Sequence, residues 1–246
     1  MTAKPSWPIF QSKLVRRQEV AERTLAFHFE KPSGWTFKAG QFIDMTLVSP
    51  AETDAEGNKR GFSIASAPEE ATIMIATRLR DTAFKRVLQT VPVGTAVTIE
   101  GPFGNLALHN NATRAAVILA GGIGITPFRS ILIDATTRRL PQRIFVFYSN
   151  RRPEDAAFLD ELVSLQSDNP AYKLVATMTE MTKSRQSWDG ETGLIDKTLL
   201  SRHLKDAVSP VYYIAGPPAM VKALHEVLNA AGADDDDIRS EEFIGY

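Results

Sequence analysis

The 246-residue chain contains no cysteine. That excludes disulfides, a thiol nucleophile, a cysteine-ligated zinc and an ordinary iron–sulfur cluster. Histidine is scarce: His28, His109, His203 and His225 lie far apart, without metal-ligand spacing, so no metal site is expected. An excess of charge of one sign is missing as well. Twenty-eight Lys and Arg stand against 29 Asp and Glu, a formal charge of −1, and that balance points to neither nucleic acid nor a membrane surface. No stretch approaches the ~18 apolar residues of a membrane span. The N-terminal "MTAKPSWPIFQSKLVRRQEV" lacks the apolar h-region of a signal peptide. The expectation is a cytoplasmic protein, long enough for one large domain or two smaller ones.

What is present changes character along the chain. Up to residue 111 the pattern is that of strands. "LAFHF" puts Leu25, Phe27 and Phe29 on one face, and "AVTI" does the same with Val97 and Ile99. Gly and Pro punctuate at "KPSGW", "VSPAETDAEGN" and "GPFG", with one short helix at "TAFKRVLQT". This is the signature of an antiparallel β-barrel or sandwich. From residue 112 to 246 short apolar runs, "AAVILAG", "RIFVFYS", "YKLVATM" and "VYYIAG", alternate with the helical patterns "TPFRSILIDATTRR", "PEDAAFLDELVSL" and "PPAMVKALHEVLNAAG". Strands buried on both faces and alternating with helices predict an α/β domain with a doubly wound parallel sheet. The acidic run Asp234 to Asp237 reads as a solvated turn before the last strand.

The strongest local motif is "LAGGIGITPFRSIL". Gly121, Gly122 and Gly124 let a strand turn sharply into a helix, with Thr126 expected as N-cap and Pro127 as the first helical residue. Free N–H groups and the positive end of the helix dipole suit a pyrophosphate, in a variant of the dinucleotide fingerprint. The competing reading is a glycine turn that only packs helix on strand. The next strand ends in "SNRRPED", so Ser149, Asn150, Arg151 and Arg152 replace the acid that binds the ribose diol of NAD. Arginine there suits the 2′-phosphate of NADPH; a pair capping a solvated loop is the alternative. "YYIAGPPAMV" supplies a second strand-to-helix turn, with Gly216, Pro217, Pro218 and Met220 facing the same crevice. Earlier, in "KRGFSIASAP", Arg60 can grip a phosphate, Phe62 can cover a flat ring, and the Ser63 hydroxyl can reach a ring nitrogen. Thr82, at the start of the short helix, marks another phosphate site.

In this order, Arg-x-aromatic-Ser, a helix start, Gly-Pro-x-Gly, Gly-Gly-x-Gly-x-Thr-Pro and Gly-Pro-Pro-x-Met, the chain resembles the ferredoxin–NADP reductase family from about Phe10 to Tyr246. The resemblance implies an FAD-binding antiparallel barrel joined to an NAD(P)-binding α/β domain. It implies that Arg60 binds the FAD pyrophosphate assisted by Thr82, that Phe62 lies against the flavin, and that Ser63 hydrogen-bonds near flavin N5. Gly122, Gly124, Thr126 and Pro127 would hold the pyrophosphate of NADPH or NADH, and Gly216 to Met220 would flank the nicotinamide. Glu241 would help with protons or electrostatics, and either Phe243 or Tyr246 would cover the flavin. Electrons would leave singly to a ferredoxin or flavodoxin, with Arg78, Arg80, Lys85 and Arg86 as a docking cluster or as partners of phosphates and solvent. The chain departs from the family at Phe62, where a tyrosine is usual, and at Ala215, where many relatives carry cysteine; hydride transfer is expected to be slower, or the thiol's contribution replaced. Alternatives are an oxygenase's reductase component, a reductase of quinones or iron, and a non-catalytic flavin-binding regulatory subunit.

Overall fold

The computed structural model describes residues 7–243, so Tyr246, the alternative flavin cover, lies outside the described residues. Strands β1 (Ile9–Ala21), β2 (Thr24–Glu30), β3 (Phe42–Leu47), β4 (Lys59–Ser63), β5 (Thr72–Arg78) and β6 (Ala96–Phe103) form one six-stranded antiparallel sheet in the order β4-β3-β6-β1-β2-β5. The edges approach where the Ala65 N–H donates to the Met74 carbonyl at 2.7 Å, which curls the sheet into a barrel. Alternation predicts its core: Phe27, Phe29, Val97 and Ile99 are buried inside it with Ile43, Met45 and Ile75, and Leu25 packs against them. Helix α1 (Ala83–Thr90) closes one end, burying Phe84, Val87 and Leu88.

The second sheet is parallel. It comprises β7 (Ala116–Gly121), β8 (Ile144–Asn150), β9 (Tyr172–Met178), β10 (Glu191–Thr192), β11 (Val211–Gly216) and β12 (Ile238–Glu242), in the order β10-β9-β8-β7-β11-β12. Every residue of β7 is buried. Ala116, Ile118 and Ala120 pack under α2 (Thr126–Thr137) and α3 (Leu159–Asp168); Val117 and Leu119 pack under α4 (Lys197–His203) and α5 (Pro218–Ala230). Helices on both faces of a central apolar strand make the doubly wound layer expected from the apolar runs. The chain steps outward from β7 to β10, then returns to the other side of β7 with β11. That reversal opens a crevice at the carboxyl ends of β7 and β11. Among the described residues no helix is long and apolar enough to cross a membrane.

Three local expectations change. The helix predicted from Pro153 begins only at Leu159, after a 3-10 turn at Pro153–Asp155 and a left-handed Phe158 (φ 61°) whose ring packs beneath Arg129. A 3-10 turn, Gly122–Ile125, precedes α2, so Ile125 rather than Thr126 is its N-cap, and the Thr126 hydroxyl donates to the Ile123 carbonyl at 2.9 Å. "GPFG" is mainly the end of β6 rather than a free turn.

The two sheets share a core. β2 and β5 are buried on their second face too, because Ala26 of β2 and Met74 and Ala76 of β5 pack against Ile125, Phe128 and Ile131. Polar contacts reinforce that seam. Arg129 of α2, 5% exposed, donates to the Ala65 carbonyl at 2.7 Å, to Glu70 at 2.9 Å and to Glu161 at 2.6 Å, and the Ser130 hydroxyl donates to the Ser66 carbonyl at 2.7 Å.

Candidate functional site

Two cavities, each of about 540 Å³, open along the crevice and meet at Ile123, which lines both. Their size falls within the range of small-molecule sites.

The first cavity lies between β4, α1 and the end of β12. Among the described residues β4 pairs only with β3, as an edge strand, and it presents Arg60, Phe62 and Ser63 to this cavity. Thr82 caps α1, its hydroxyl accepting the Lys85 N–H at 3.4 Å. The aromatic wall is Phe62 beside Phe84, with ring centroids 5.8 Å apart, and the Arg60 guanidinium lies 5.2 Å over the Phe84 ring. Lys85 points into the same space. Burial, with Arg80 and Arg60 nearby, lowers its ammonium pKa to about 8. At the opposite end stand Glu241 and Phe243. Burial raises the Glu241 carboxyl to about 7, and its Oε1 lies 3.8 Å from where a β-carbon on Gly104 would sit. The Phe243 N–H donates to the Gly216 carbonyl at 3.0 Å, which ties the C-terminal strand to the turn after β11.

The second cavity occupies the switch point. Register aligns Gly121 with Ser149, and Gly216 with Glu242, so the strand ends form one ledge. Gly122 adopts φ 52° with open space where a side chain would be, leaving room for a ligand against bare backbone. Gly124 is required for a different reason: a β-carbon there would lie 2.3 Å from the Ala215 carbonyl oxygen, so close packing on β11 demands glycine. Pro127 falls in the first turn of α2, and Thr126 reaches the first cavity rather than this one. Pro217 caps α5, Pro218 opens it, and the Met220 thioether lies across Gly121.

Of the residues singled out from the sequence, Arg60, Phe62, Ser63, Thr82, Thr126, Glu241 and Phe243 line the first cavity, Gly122, Pro217 and Met220 line the second, and Gly124, Pro127, Gly216 and Pro218 line neither. Ser149 and Arg151 line the second cavity, but Arg152 does not. Its guanidinium donates to Asp155 at 2.9 Å and to Glu22 of the barrel at 3.0 Å. The cationic docking cluster is also dispersed. Arg86 is held by Glu52 and Asp81, Arg78 pairs with Asp155 at 3.6 Å, Lys85 is in the first cavity, and Arg80 lines the second with Arg78. Asn150, named with Ser149 and Arg151, also lines the second cavity, whereas periodicity has no signal for Phe84, Thr179 or Asp196 as cavity walls, since each is recruited by a fold-level contact. Among the described residues, no group of three or more His, Asp or Glu side chains is arranged to hold a metal.

Residues 118–226 match the family described as the oxidoreductase NAD-binding domain. One component of the Na(+)-translocating NADH-quinone reductase of Methylococcus capsulatus is 31% identical over 203 residues, covering 76% of this chain and 49% of that protein. The glycine betaine monooxygenase reductase subunit of Chromohalobacter salexigens is 27% identical over 224 residues, covering 90% of this chain and 60% of the relative. The chain therefore spans about half to three-fifths of the length of these relatives. In structure, a ferredoxin NADP+ reductase from Neisseria gonorrhoeae with bound FAD and NADP matches with a TM-score of 0.78 at 21% identity, over 95% of this chain and 98% of that one. An antiparallel barrel, a doubly wound parallel sheet and a crevice between them are common ground: the chain has the fold of that reductase, and its residues 118–226 belong to the oxidoreductase NAD-binding domain family.

Proposed function

We propose that the chain is an FAD-dependent NAD(P)H oxidoreductase that passes electrons to a separate one-electron carrier, a ferredoxin or flavodoxin. The observation that carries this reading is the meeting of the two cavities at Ile123, one with a cationic end and aromatic walls, the other with an open glycine turn at the switch point. The division into a flavin domain, residues 1–111, and a nucleotide domain, residues 112–246, is part of the proposal.

The residues present fit FAD. Arg60, Lys85 and the first N–H groups of α1, next to Thr82, form the donor set that a pyrophosphate needs. Phe62 offers an apolar face for the isoalloxazine, and Ser63 a hydroxyl for N5. When bound, the flavin supplies the chemistry, accepting hydride and releasing electrons one at a time. Gly122, Gly124, Thr126 and Pro127 shape the turn for the dinucleotide's pyrophosphate, while Gly216 to Met220 and Phe243 close around its nicotinamide end and keep water out. Glu241, its carboxyl raised to about 7 by burial in the first cavity, would hold or give a proton near neutrality. NADPH is favoured by Ser149 and the exposed Arg151 at the rim of the second cavity, with Arg78 and Arg80 opposite.

A second reading has its own support. An oxygenase's reductase component using NADH draws on the glycine betaine monooxygenase reductase relative and on the engagement of Arg152 by Asp155 and Glu22. Anaerobic titration separates the two, watching flavin absorbance near ~450 nm with NADPH and then NADH. Faster bleaching by NADPH, followed by reoxidation with ferredoxin or flavodoxin, is the expected result. Preference for NADH with no transfer to either carrier favours the second reading. A flavin-loaded protein that neither nucleotide bleaches refutes both and leaves the regulatory role.

A further inference from the structure

The donors at the phosphate end of the first cavity are already engaged by carboxylates of the chain, of which Glu56 lines the cavity and Asp54 holds Arg60 and the start of α1. The β3–β4 loop carries acids at alternate positions, Glu52, Asp54 and Glu56, and each finds a donor near α1. Asp54 bridges two of them: Oδ2 accepts the Ala83 N–H at 3.2 Å, and Oδ1 accepts from Arg60 Nη2 at 3.4 Å. Glu56 takes the same Arg60 nitrogen at 2.8 Å, and Arg60 Nη1 donates to the carbonyls of Glu56, Gly57 and Lys59 at 2.9, 3.1 and 2.7 Å. Glu52 clasps Arg86 of α1 at 2.9 and 2.7 Å, which pins the loop against the helix. One carboxylate therefore spans a guanidinium and the first free N–H of a helix, the same donor pair that suits a pyrophosphate.

We infer that Asp54 is an internal counter-anion that competes with the flavin pyrophosphate for Arg60 and the N-terminus of α1, so that this loop sets how tightly the cofactor is held. The ligand's identity rests on the flavin reading; the competition itself rests on the observed contacts. Arg60 has both terminal nitrogens committed to the loop, and the Ala83 N–H can serve only one acceptor well. Binding a phosphate oxygen at these donors exchanges one anion for another rather than filling an unpaired site. Loop docking and cofactor uptake are then one equilibrium, and each opposes the other by linkage. The loop is suited to the exchange because its carboxylates are partly hydrated, at 33% side-chain exposure for Asp54 and 72% for Glu56. Release restores water to groups that are already partly wet.

The test is the dissociation constant for FAD, read by quenching of flavin fluorescence, in the wild type, Asp54→Asn and Glu56→Gln. Asparagine keeps the shape and one acceptor but removes the charge. Asp54→Asn should bind FAD about three- to tenfold tighter, the range for losing one partly exposed charge-assisted contact from the competitor. Glu56→Gln, more exposed, should tighten binding by about twofold or less. The second readout needs no flavin. Inorganic pyrophosphate should release the loop and speed cleavage by a glutamate-specific protease after Glu52 and Glu56 in the wild-type protein. Unchanged or weaker FAD binding by a folded Asp54→Asn variant overturns the inference and makes Asp54 a support that orients Arg60. Cleavage indifferent to pyrophosphate overturns it as well. A chain that releases its loop to pyrophosphate yet takes up no FAD sustains the counter-anion and refutes the flavin reading.

Discussion

Arg129→Met should separate the two sheets energetically while leaving each largely intact. Methionine preserves most of the buried stem and deletes the guanidinium. The loss comprises two contacts to Glu161, at 2.7 and 2.6 Å, two to Glu70, at 2.9 and 3.3 Å, and one to the Ala65 carbonyl at 2.7 Å. Stacking over Phe158, 5.2 Å below, goes with them. Removing one partner of a buried ion pair costs ~3–5 kcal/mol, because the other charge is left uncompensated. Here Glu70 and Glu161 are 34% and 40% exposed and rehydrate in part, which lowers that to ~2–3 kcal/mol. The Ala65 carbonyl, in a fully buried residue, adds ~1 kcal/mol. A total near ~3 kcal/mol should move the urea midpoint down by roughly 1–2 M, followed by far-UV circular dichroism and tryptophan fluorescence. Adding Glu70→Gln and Glu161→Gln should recover part of the loss by removing the stranded charges. A midpoint shift below ~0.3 M for Arg129→Met would show that water replaces the clamp at little cost, and would refute the reasoning. The same clamp holds Ala65 and Ser66, just beyond β4, against the helix that carries Thr126, so nucleotide-to-flavin electron transfer should slow alongside the loss of stability.

Arg60→Ala should weaken FAD retention by ~1.5–3 kcal/mol, measured by equilibrium dialysis; unchanged occupancy would remove Arg60 from the site. Glu241→Gln should alter stability in a pH-dependent way. With the folded carboxyl raised to about 7, above its ordinary 4.5, the folded state binds the extra proton, so the wild type loses stability as pH rises from 4.5 through 7. The variant should match the wild type near pH 5 and exceed it at pH 8 in thermal melts, and parallel curves would show that the carboxyl titrates normally. Arg151→Ala should raise KM for NADPH about tenfold with little change for NADH, as steady-state kinetics would report. Equal effects on both nucleotides would assign Arg151 to their shared pyrophosphate instead of the 2′-phosphate.

What could be read from the chain and what could not divide along physical lines. The β7–α2 and β11–α5 turns were legible because Gly and Pro restrict the backbone locally, whatever the rest of the fold does. The central strands were legible because burial on both faces leaves unbroken apolar runs. Helix α4 was not, since seven residues hold too little of a 3.6-residue period, and its N-cap Asp196 resembles any loop acid. The start of α3 is not legible either, because the left-handed Phe158 is held by Arg129, 29 positions away in sequence and next to it in space. Hydroxyl-then-proline, a common helix opening, points to Thr126 as the cap, yet the preceding 3-10 turn claims its hydroxyl. The same division runs through the candidate site. Residue types that suit phosphate, ring and hydroxyl contacts were visible at Arg60, Phe62, Ser63 and Thr82, since chemistry is written in the side chain itself. The partner of each charge was not. Arg86 is claimed by Glu52, 34 positions away, and Arg152 by Glu22, 130 positions away. An arginine in a sequence is only an offer of hydrogen bonds, and the fold decides whether a ligand, a carrier protein or a carboxylate of the same chain takes it up. Arg60 is the case that matters most, because its present acceptors, Asp54 and Glu56, belong to a loop whose acids alternate in the sequence but whose target appears only when β4 and α1 are brought side by side.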